Sequence, residues 1–133
     1  IIFIAGGTGF GPIKAIIEHL ISINSSRTIH LYWGVRTEQD IYLNLPLDWS
    51  KNHSNINFIP VLSEPDSSWS GESGYVHEMV VKDFENLTDY EVYACGPPVM
   101  VKAAAKSCLE NNLLKENFFS DSFEYAAVSI ADE

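Results

Sequence analysis

The chain has 133 residues, of which 8 are Lys or Arg and 18 are Asp or Glu, so its formal net charge is −10. With 46% apolar residues, it has the composition of one folded domain rather than of a disordered chain. An acidic surface repels phosphate backbones, which argues against a nucleic-acid partner, and no apolar run reaches the roughly 18 to 20 residues of a membrane span. The two cysteines give no sign of an oxidising compartment, so we expect a cytoplasmic location. Because Ile1 begins as if inside a strand and no Met precedes it, we expect a piece of a longer protein.

Strands and helices alternate along the sequence. The apolar run 1–5 predicts a buried strand, a glycine cluster follows it, and Pro12 opens helical spacing that reaches about residue 23. Further strands are predicted at 28–35, 56–62, 91–95 and 117–123, and further helices at 38–45, 75–84 and 99–113. Pro46 is expected to break the second helix, and polar residues predict a loop over 63–74. The alternation predicts an α/β fold, in which a five-stranded parallel sheet is covered by helices on both faces.

A glycine cluster joins the first predicted strand to the first helix. It comprises Gly6, Gly7, Thr8 and Gly9, and Pro12 follows shortly after. Glycines let the backbone approach a ligand closely, and a helix N-terminus attracts phosphate, although a tight turn alone would also need glycine. The third glycine of the usual dinucleotide fingerprint would fall at position 12, which holds Pro12, so the cluster departs from that fingerprint. A Walker loop is excluded because Lys14 is neither preceded by Gly nor followed by Ser or Thr.

A second special loop ends the fourth predicted strand. Its residues are Cys95, Gly96, Pro97 and Pro98. Ligands of doubly wound sheets bind beyond the carboxyl ends of the strands, where the strand order reverses, so the two loops are expected to meet at one crevice. Taken alone, Cys95 could be a small core residue. The four histidines show no metal-binding spacing, so no metal site is predicted, and the three tryptophans are assigned to packing.

Four segments in order resemble a known family. They are Ile4–Pro12, Tyr32–Arg36, Gly71–Val76 and Tyr93–Met100, and they are similar to the pyridine-nucleotide domain of ferredoxin–NADP reductase-like flavoenzymes. The ending Phe118–Phe123 is similar to the branch of bacterial flavin reductases, CDP-glucoseen reductase and oxygenase reductases. The resemblance implies that 1–133 is one NAD(P)H-binding domain with strand order 3-2-1-4-5. It also implies a flavin-binding β-barrel upstream.

The resemblance carries site roles onto matching positions of this sequence. The loop from Gly6 to Gly9, with Pro12 after it, would hold the pyrophosphate, and Thr8 would lie near the nicotinamide and the flavin. Cys95 and Gly96 would border the nicotinamide carbon that gives hydride to FAD or FMN, and Pro97 and Pro98 would bind the cofactor beside them. A terminal aromatic that covers the flavin would be Phe123. Thr8, Cys95 and Phe123 are therefore the candidate catalytic residues.

The adenosine end would involve Arg36, Ser63 and Glu64. The last two occupy the place where NADP-using relatives have Ser followed by Arg. A carboxylate repels a 2′-phosphate and accepts hydrogen bonds from a free ribose hydroxyl, which favours NADH, whereas Arg36 argues for NADPH. The implied partners are the nicotinamide nucleotide, a flavin domain in the same protein and, as an option, an iron–sulfur module or another redox partner.

Two alternative functions make different demands on the sequence. A short-chain dehydrogenase needs Lys four residues after a catalytic Tyr, and no Tyr here has one. A nucleotide-sensing or electron-transfer subunit without catalysis stays open, because the flavin-binding barrel that would decide the question is not in this sequence. The resemblance favours a domain that binds NAD(P)H for a flavin-dependent reductase and is inactive alone.

Overall fold

The computed structural model describes residues 1–120, which form a parallel sheet flanked by helices. The strands are β1 (Ile2–Gly6), β2 (Ile29–Val35), β3 (Ile56–Leu62), β4 (Glu72–Ser73), β5 (Val92–Cys95) and β6 (Phe118–Ser120). The helices are α1 (Phe10–Ser22), α2 (Leu45–Asn52), α3 (Val76–Asp83) and α4 (Pro98–Glu110). The sheet order is β4-β3-β2-β1-β5-β6, and every neighbouring pair is parallel.

The predicted topology is confirmed, with one addition. The five predicted strands lie in the expected order 3-2-1-4-5, and β1 is the central strand from which the chain winds in both directions. The sixth strand, β4, is a two-residue edge segment inside the predicted loop 63–74, paired to Val61 and Leu62 of β3. A polar segment this short carries no hydrophobic alternation, so only the register with β3 reveals it.

The helices cover the sheet on both faces, as the doubly wound prediction requires. One core cluster joins residues of α1 and α2, such as Ile13, Ile17 and Trp49, to one face of the sheet. The other joins Val80 of α3 and Ala104 of α4 to the opposite face. All five residues of β1 are buried, which is why its sequence is a continuous apolar run rather than an alternating one.

The predicted helix over 38–45 is wrong. Only Glu38–Asp40 forms a single 3₁₀ turn, and the helix in this region is α2, with Pro46 in its first turn. A proline at the start of a helix loses no hydrogen bond, because the first N–H groups have no acceptor within the helix. Trp49, which is 6% exposed, anchors α2 to the core. Pro46 therefore lies in the first turn of a packed helix and does not break one.

Candidate functional site

A groove of about 1090 Å³ lies beyond the carboxyl ends of β1, β2 and β3. Its walls come from the loops after these strands and from the first turns of α3 and α4. Because β1 lies between β2 and β5, this is the point where the strand order reverses, which is the usual ligand position in doubly wound sheets. Ligand sites commonly occupy about 300–1,000 Å³, so the groove has room for a large, extended ligand.

The two predicted loops meet at this edge of the sheet, as expected from the sequence. A Cβ placed on Gly9 would lie 2.2 Å from the carbonyl oxygen of Cys95, and one on Gly6 would lie 2.8 Å from Cε of Met100. The glycine loop therefore packs against backbone at the end of β5, which no larger residue could do. Gly7 has a φ of +54°, a left-handed conformation that favours glycine.

A buried tryptophan supports the glycine loop. Nε1 of Trp33 donates a hydrogen bond of 2.9 Å to the carbonyl oxygen of Gly7. The Phe10 ring is stacked on the indole with centroids 4.4 Å apart, and the Tyr42 ring meets it edge-on at 5.0 Å. The assignment of Trp33 to packing is correct but incomplete, because no sequence pattern shows where an indole N–H points.

The strand ends bring the predicted adenosine-end residues together. The Glu64 N–H donates to the carbonyl oxygen of Arg36 at 2.8 Å, and the Ser63 N–H donates to that of Val35 at 3.0 Å. Arg36 and Ser63 line the groove, whereas Glu64 lies outside its lining. None of the ion pairs formed within residues 1–120 involves Arg36, so its guanidinium is available to an anionic ligand.

Two carboxylates in the groove were not predicted from the sequence. Asp40 lines it and accepts hydrogen bonds of 3.1 Å from both the N–H and the hydroxyl of Thr37. Glu78, in the first turn of α3, lines it as well. Among residues 1–120, Arg36 is the one Lys or Arg in the groove lining, so the balance of charge from these residues is acidic. The 3₁₀ turn over 38–40 places Asp40 in the groove. Because a helix was predicted over 38–45, Asp40 was not assigned to the site from the sequence.

The sequence also did not predict that aromatic side chains line the site, among them Tyr75 and His77. Tyr75 is 64% exposed, and its ring lies nearly parallel to that of His77, with an interplanar angle of 18° and centroids 5.9 Å apart. Both line the groove. No sequence pattern indicates that these two rings face the groove, although their position after a strand end lies on the side of the sheet where ligands bind. A flat, exposed ring of this kind can bind another flat ring.

Some predicted site residues lie beside the groove rather than in its lining. The lining includes Gly6, Gly7, Thr8 and Pro97. It does not include Gly9, Pro12, Cys95, Gly96 or Pro98. Cys95 is 4% exposed and belongs to the core cluster on the α1 side, and Pro12 lies in the first turn of α1. Phe123 is outside the described residues.

The loop from Ser63 to Gly74 has its own order. Asp66 accepts hydrogen bonds from the N–H and the hydroxyl of Ser68, at 2.9 and 2.5 Å, and these bonds hold the pKa of the Asp66 carboxyl below its usual value. Nε1 of Trp69 donates to the carbonyl oxygen of Glu72 at 2.9 Å. Trp69 thus closes the loop that follows Ser63 and Glu64.

The described residues contain neither a metal cluster nor a membrane-crossing element. Within 1–120, no three His, Cys, Asp or Glu side chains converge as metal ligands. The helices of the same part of the chain are all too short or too polar to cross a bilayer.

The chain belongs to the oxidoreductase NAD-binding domain family, whose sequence profile matches residues 3–106. It is 47% identical over 123 residues to protein RfbI of Salmonella typhimurium. It is 42% identical to the CDP-6-deoxy-L-threo-D-glycero-4-hexulose-3-dehydrase reductase of Yersinia pestis, also over 123 residues. Both alignments cover 92% of this chain and 37% of the relative. These matches confirm the resemblance stated from the motifs.

Two further similarities widen the comparison. An NAD(P)H-flavin reductase of Aliivibrio fischeri is 38% identical over 126 residues, which are 93% of this chain and 53% of the relative. Among solved structures, the Amycolatopsis cytochrome P450 reductase GcoB superposes with a TM-score of 0.82 at 29% identity. That match covers 90% of this chain and 36% of GcoB. The chain thus spans about a third to a half of the proteins it matches.

Proposed function

We propose that this chain is the NAD(P)H-binding domain of a flavin-dependent reductase, with NADH as the preferred donor. The observation that carries the proposal is the contact between the glycine loop and the end of β5, beside a large groove at the switch in strand order. Membership of the NAD-binding family supports it. The cofactors supply the chemistry, in which a hydride passes from nicotinamide to FAD or FMN.

The residues of the groove have complementary binding roles in this proposal. The backbone of Gly7 and Thr8 faces the pyrophosphate, and Arg36 supplies a positive charge. The exposed Tyr75 ring offers a flat surface to the adenine. Pro97 extends the groove at the end of β5, where the nicotinamide would approach the flavin. By the resemblance, Thr8, Cys95 and Phe123 would lie around that contact.

The preference for NADH follows from the charges at the adenosine end. The backbone of Glu64 lies beside that of Arg36, because the two are hydrogen-bonded. Asp40 and Glu78 lie in the groove lining. A 2′-phosphate would bring negative charge close to these carboxylates, and like charges within a few ångströms repel. A free ribose hydroxyl can instead donate a hydrogen bond to a carboxylate. Arg36 then serves the pyrophosphate that NADH and NADPH share.

The remainder of the reductase is proposed from the relatives. Since this chain spans 37% of the hexulose-dehydrase reductase, we expect a flavin-binding β-barrel in the same protein. Electrons would leave the reduced flavin for an iron–sulfur centre, a free flavin or a partner enzyme. A dehydrase acting on a nucleotide-linked sugar is one such partner, by similarity to that relative. The proposal places the protein in the cytoplasm.

Anaerobic titration of the full-length protein tests this function. Stoichiometric NADH is expected to bleach the flavin absorbance, and NADPH is expected to do so with a lower kcat/KM. Binding of NADH without any bleaching would support the alternative of a nucleotide-sensing subunit and contradict the reductase. Absence of NADH binding would contradict both.

Substitution of Glu64 tests the proposed cofactor preference. Glu64→Arg is expected to shift the ratio of kcat/KM for NADPH over NADH upward by about tenfold, the equivalent of about 1.4 kcal/mol. Glu110→Arg makes the same charge change on an exposed residue at the end of α4 and should leave the ratio unaltered. Equal ratios in wild type and Glu64→Arg would remove Glu64 from the specificity assignment.

A further inference from the structure

The buried indole of Trp33 makes one polar contact, and that contact is with the glycine loop. The Trp33 side chain is fully buried, and its Nε1 lies 2.9 Å from the carbonyl oxygen of Gly7. The stacked Phe10 ring and the edge-on Tyr42 ring hold the indole in its plane. Because buried polar groups need a partner, Trp33 and the Gly7 carbonyl determine each other's orientation.

This hydrogen bond also sets the direction of the next N–H group. The described chain has no cis peptide bond, and in a trans peptide the C=O and N–H point in opposite directions. With the Gly7 carbonyl directed inward to Trp33, the Thr8 N–H points away from the core, on the side where Thr8 lines the groove. As the second residue of a 3₁₀ turn, Thr8 has no acceptor for this N–H within the turn.

The loop needs such a restraint because glycine does not supply one. Gly7 has a φ of +54°, and a Cβ on it would meet no atom within 4 Å. A glycine in open space tolerates both hands of the backbone, so the Gly7–Thr8 peptide can rotate unless its carbonyl is held. Trp33 is the side chain that holds it.

We infer that Trp33 is a positioning residue for nucleotide binding. Its indole N–H holds the Gly7–Thr8 peptide so that the Thr8 N–H is preset toward the pyrophosphate of the dinucleotide. The inference rests on the proposed function, since it deepens the role of the same groove. Presetting a donor before binding lowers the cost of ordering the loop around the ligand. Trp33 acts through Gly7 and touches neither the hydride nor the flavin.

The test compares two Trp→Phe variants in the full-length protein. Trp33→Phe keeps an aromatic ring beside Phe10 but removes the N–H donor. It is expected to raise the Kd and KM for NADH about three- to tenfold, the effect of one hydrogen bond, while kcat changes less than twofold. Trp49→Phe is the matched control, because Trp49 is also buried near Phe10, at 6.0 Å. It is expected to lower stability and leave Kd and KM at the wild-type values.

A second variant separates the N–H from the volume of the indole. Replacing Trp33 with 3-benzothienylalanine substitutes sulfur for the N–H and preserves the two-ring shape, so it applies even if Trp33→Phe fails to fold. The same rise in Kd is expected, together with a shifted amide NMR signal for Thr8.

The outcomes distinguish this inference from the function on which it rests. Wild-type protein that binds no NADH overturns the proposed function and this inference with it. Wild-type binding with an unchanged Kd in the benzothienylalanine protein overturns this inference alone. An equal rise in Kd for Trp33→Phe and Trp49→Phe does the same, because a general loss of packing would then explain both.

Discussion

The closest contact between the two loops offers a sharp test of the site's architecture. In Gly9→Ala, the new Cβ would lie 2.2 Å from the carbonyl oxygen and 2.5 Å from the carbonyl carbon of Cys95. Both atoms belong to the backbone at the end of a central strand, so no side-chain rotation can relieve the clash. Overpacking of this kind costs about 1–3 kcal/mol, and the rigid partner places Gly9→Ala near the upper figure, about 3 kcal/mol.

Gly11→Ala is the matched control for this prediction. Gly11 lies two residues further on, inside α1, and a Cβ there would meet no atom within 4 Å. Alanine in a helix is more stable than glycine by about 0.5–1 kcal/mol, so this variant is expected to gain stability. Equilibrium urea unfolding of wild type and both variants measures how each substitution changes the free energy of unfolding. NADH titration of the folded proteins measures the effect on binding.

The two variants should therefore move in opposite directions. Gly9→Ala should also bind NADH more weakly, because the loop must move away from β5 to accommodate the methyl group. A Gly9→Ala protein as stable as wild type, with the same Kd for NADH, would refute the close packing of the two loops. A loss of stability in Gly11→Ala equal to that in Gly9→Ala would show that any residue larger than glycine is harmful in this loop.

Two more predictions concern the cysteines. Cys95→Ala should slow stopped-flow flavin reduction about tenfold, since small displacements at the reacting atoms are costly, and it should alter the Kd for NADH less; an unchanged reduction rate would contradict this role. Burial raises the pKa of the Cys108 thiol to about 12 from its usual 9.0, so the unfolded chain loses this proton first as the pH rises. The free energy of unfolding should thus fall above pH 9, by up to about 1.4 kcal/mol per pH unit. Cys108→Ala should reduce that slope in urea unfolding, and identical slopes in both proteins would contradict the assignment.

Much of the fold was predictable because buried positions are apolar, in patterns that differ between buried strands and amphipathic helices. The run that becomes β1 is apolar throughout because both of its faces are covered. The β4 strand left no such trace, since two exposed residues at a sheet edge need no hydrophobic pattern. The error at Pro46 has another origin, because a proline can either end a helix or occupy the first turn of one. The burial of Trp49 on the following turn shows that Pro46 lies in the first turn of α2.

The candidate site was predictable only in part, for a related reason. The glycine cluster was recognisable because each position requires glycine for a backbone reason. Gly7 has a positive φ, and Gly9 packs closely against another backbone segment. The contributions of Tyr75 and Asp40 depend on which way a side chain projects from a strand end. A single sequence does not record that direction. The hydrogen bond from Trp33 to Gly7 spans 26 residues, and no spacing rule connects two such positions.

The dinucleotide is proposed to lie across the carboxyl ends of the strands. Amide chemical-shift mapping of the labelled chain with NAD⁺ tests it most directly. Shifts are predicted for Thr8, Arg36 and Tyr75, which line the large groove. None is predicted for Asn24 and His53, which line a cavity of about 160 Å³ elsewhere on the molecule. Shifts confined to Asn24 and His53, or absent from both sets, would contradict the account.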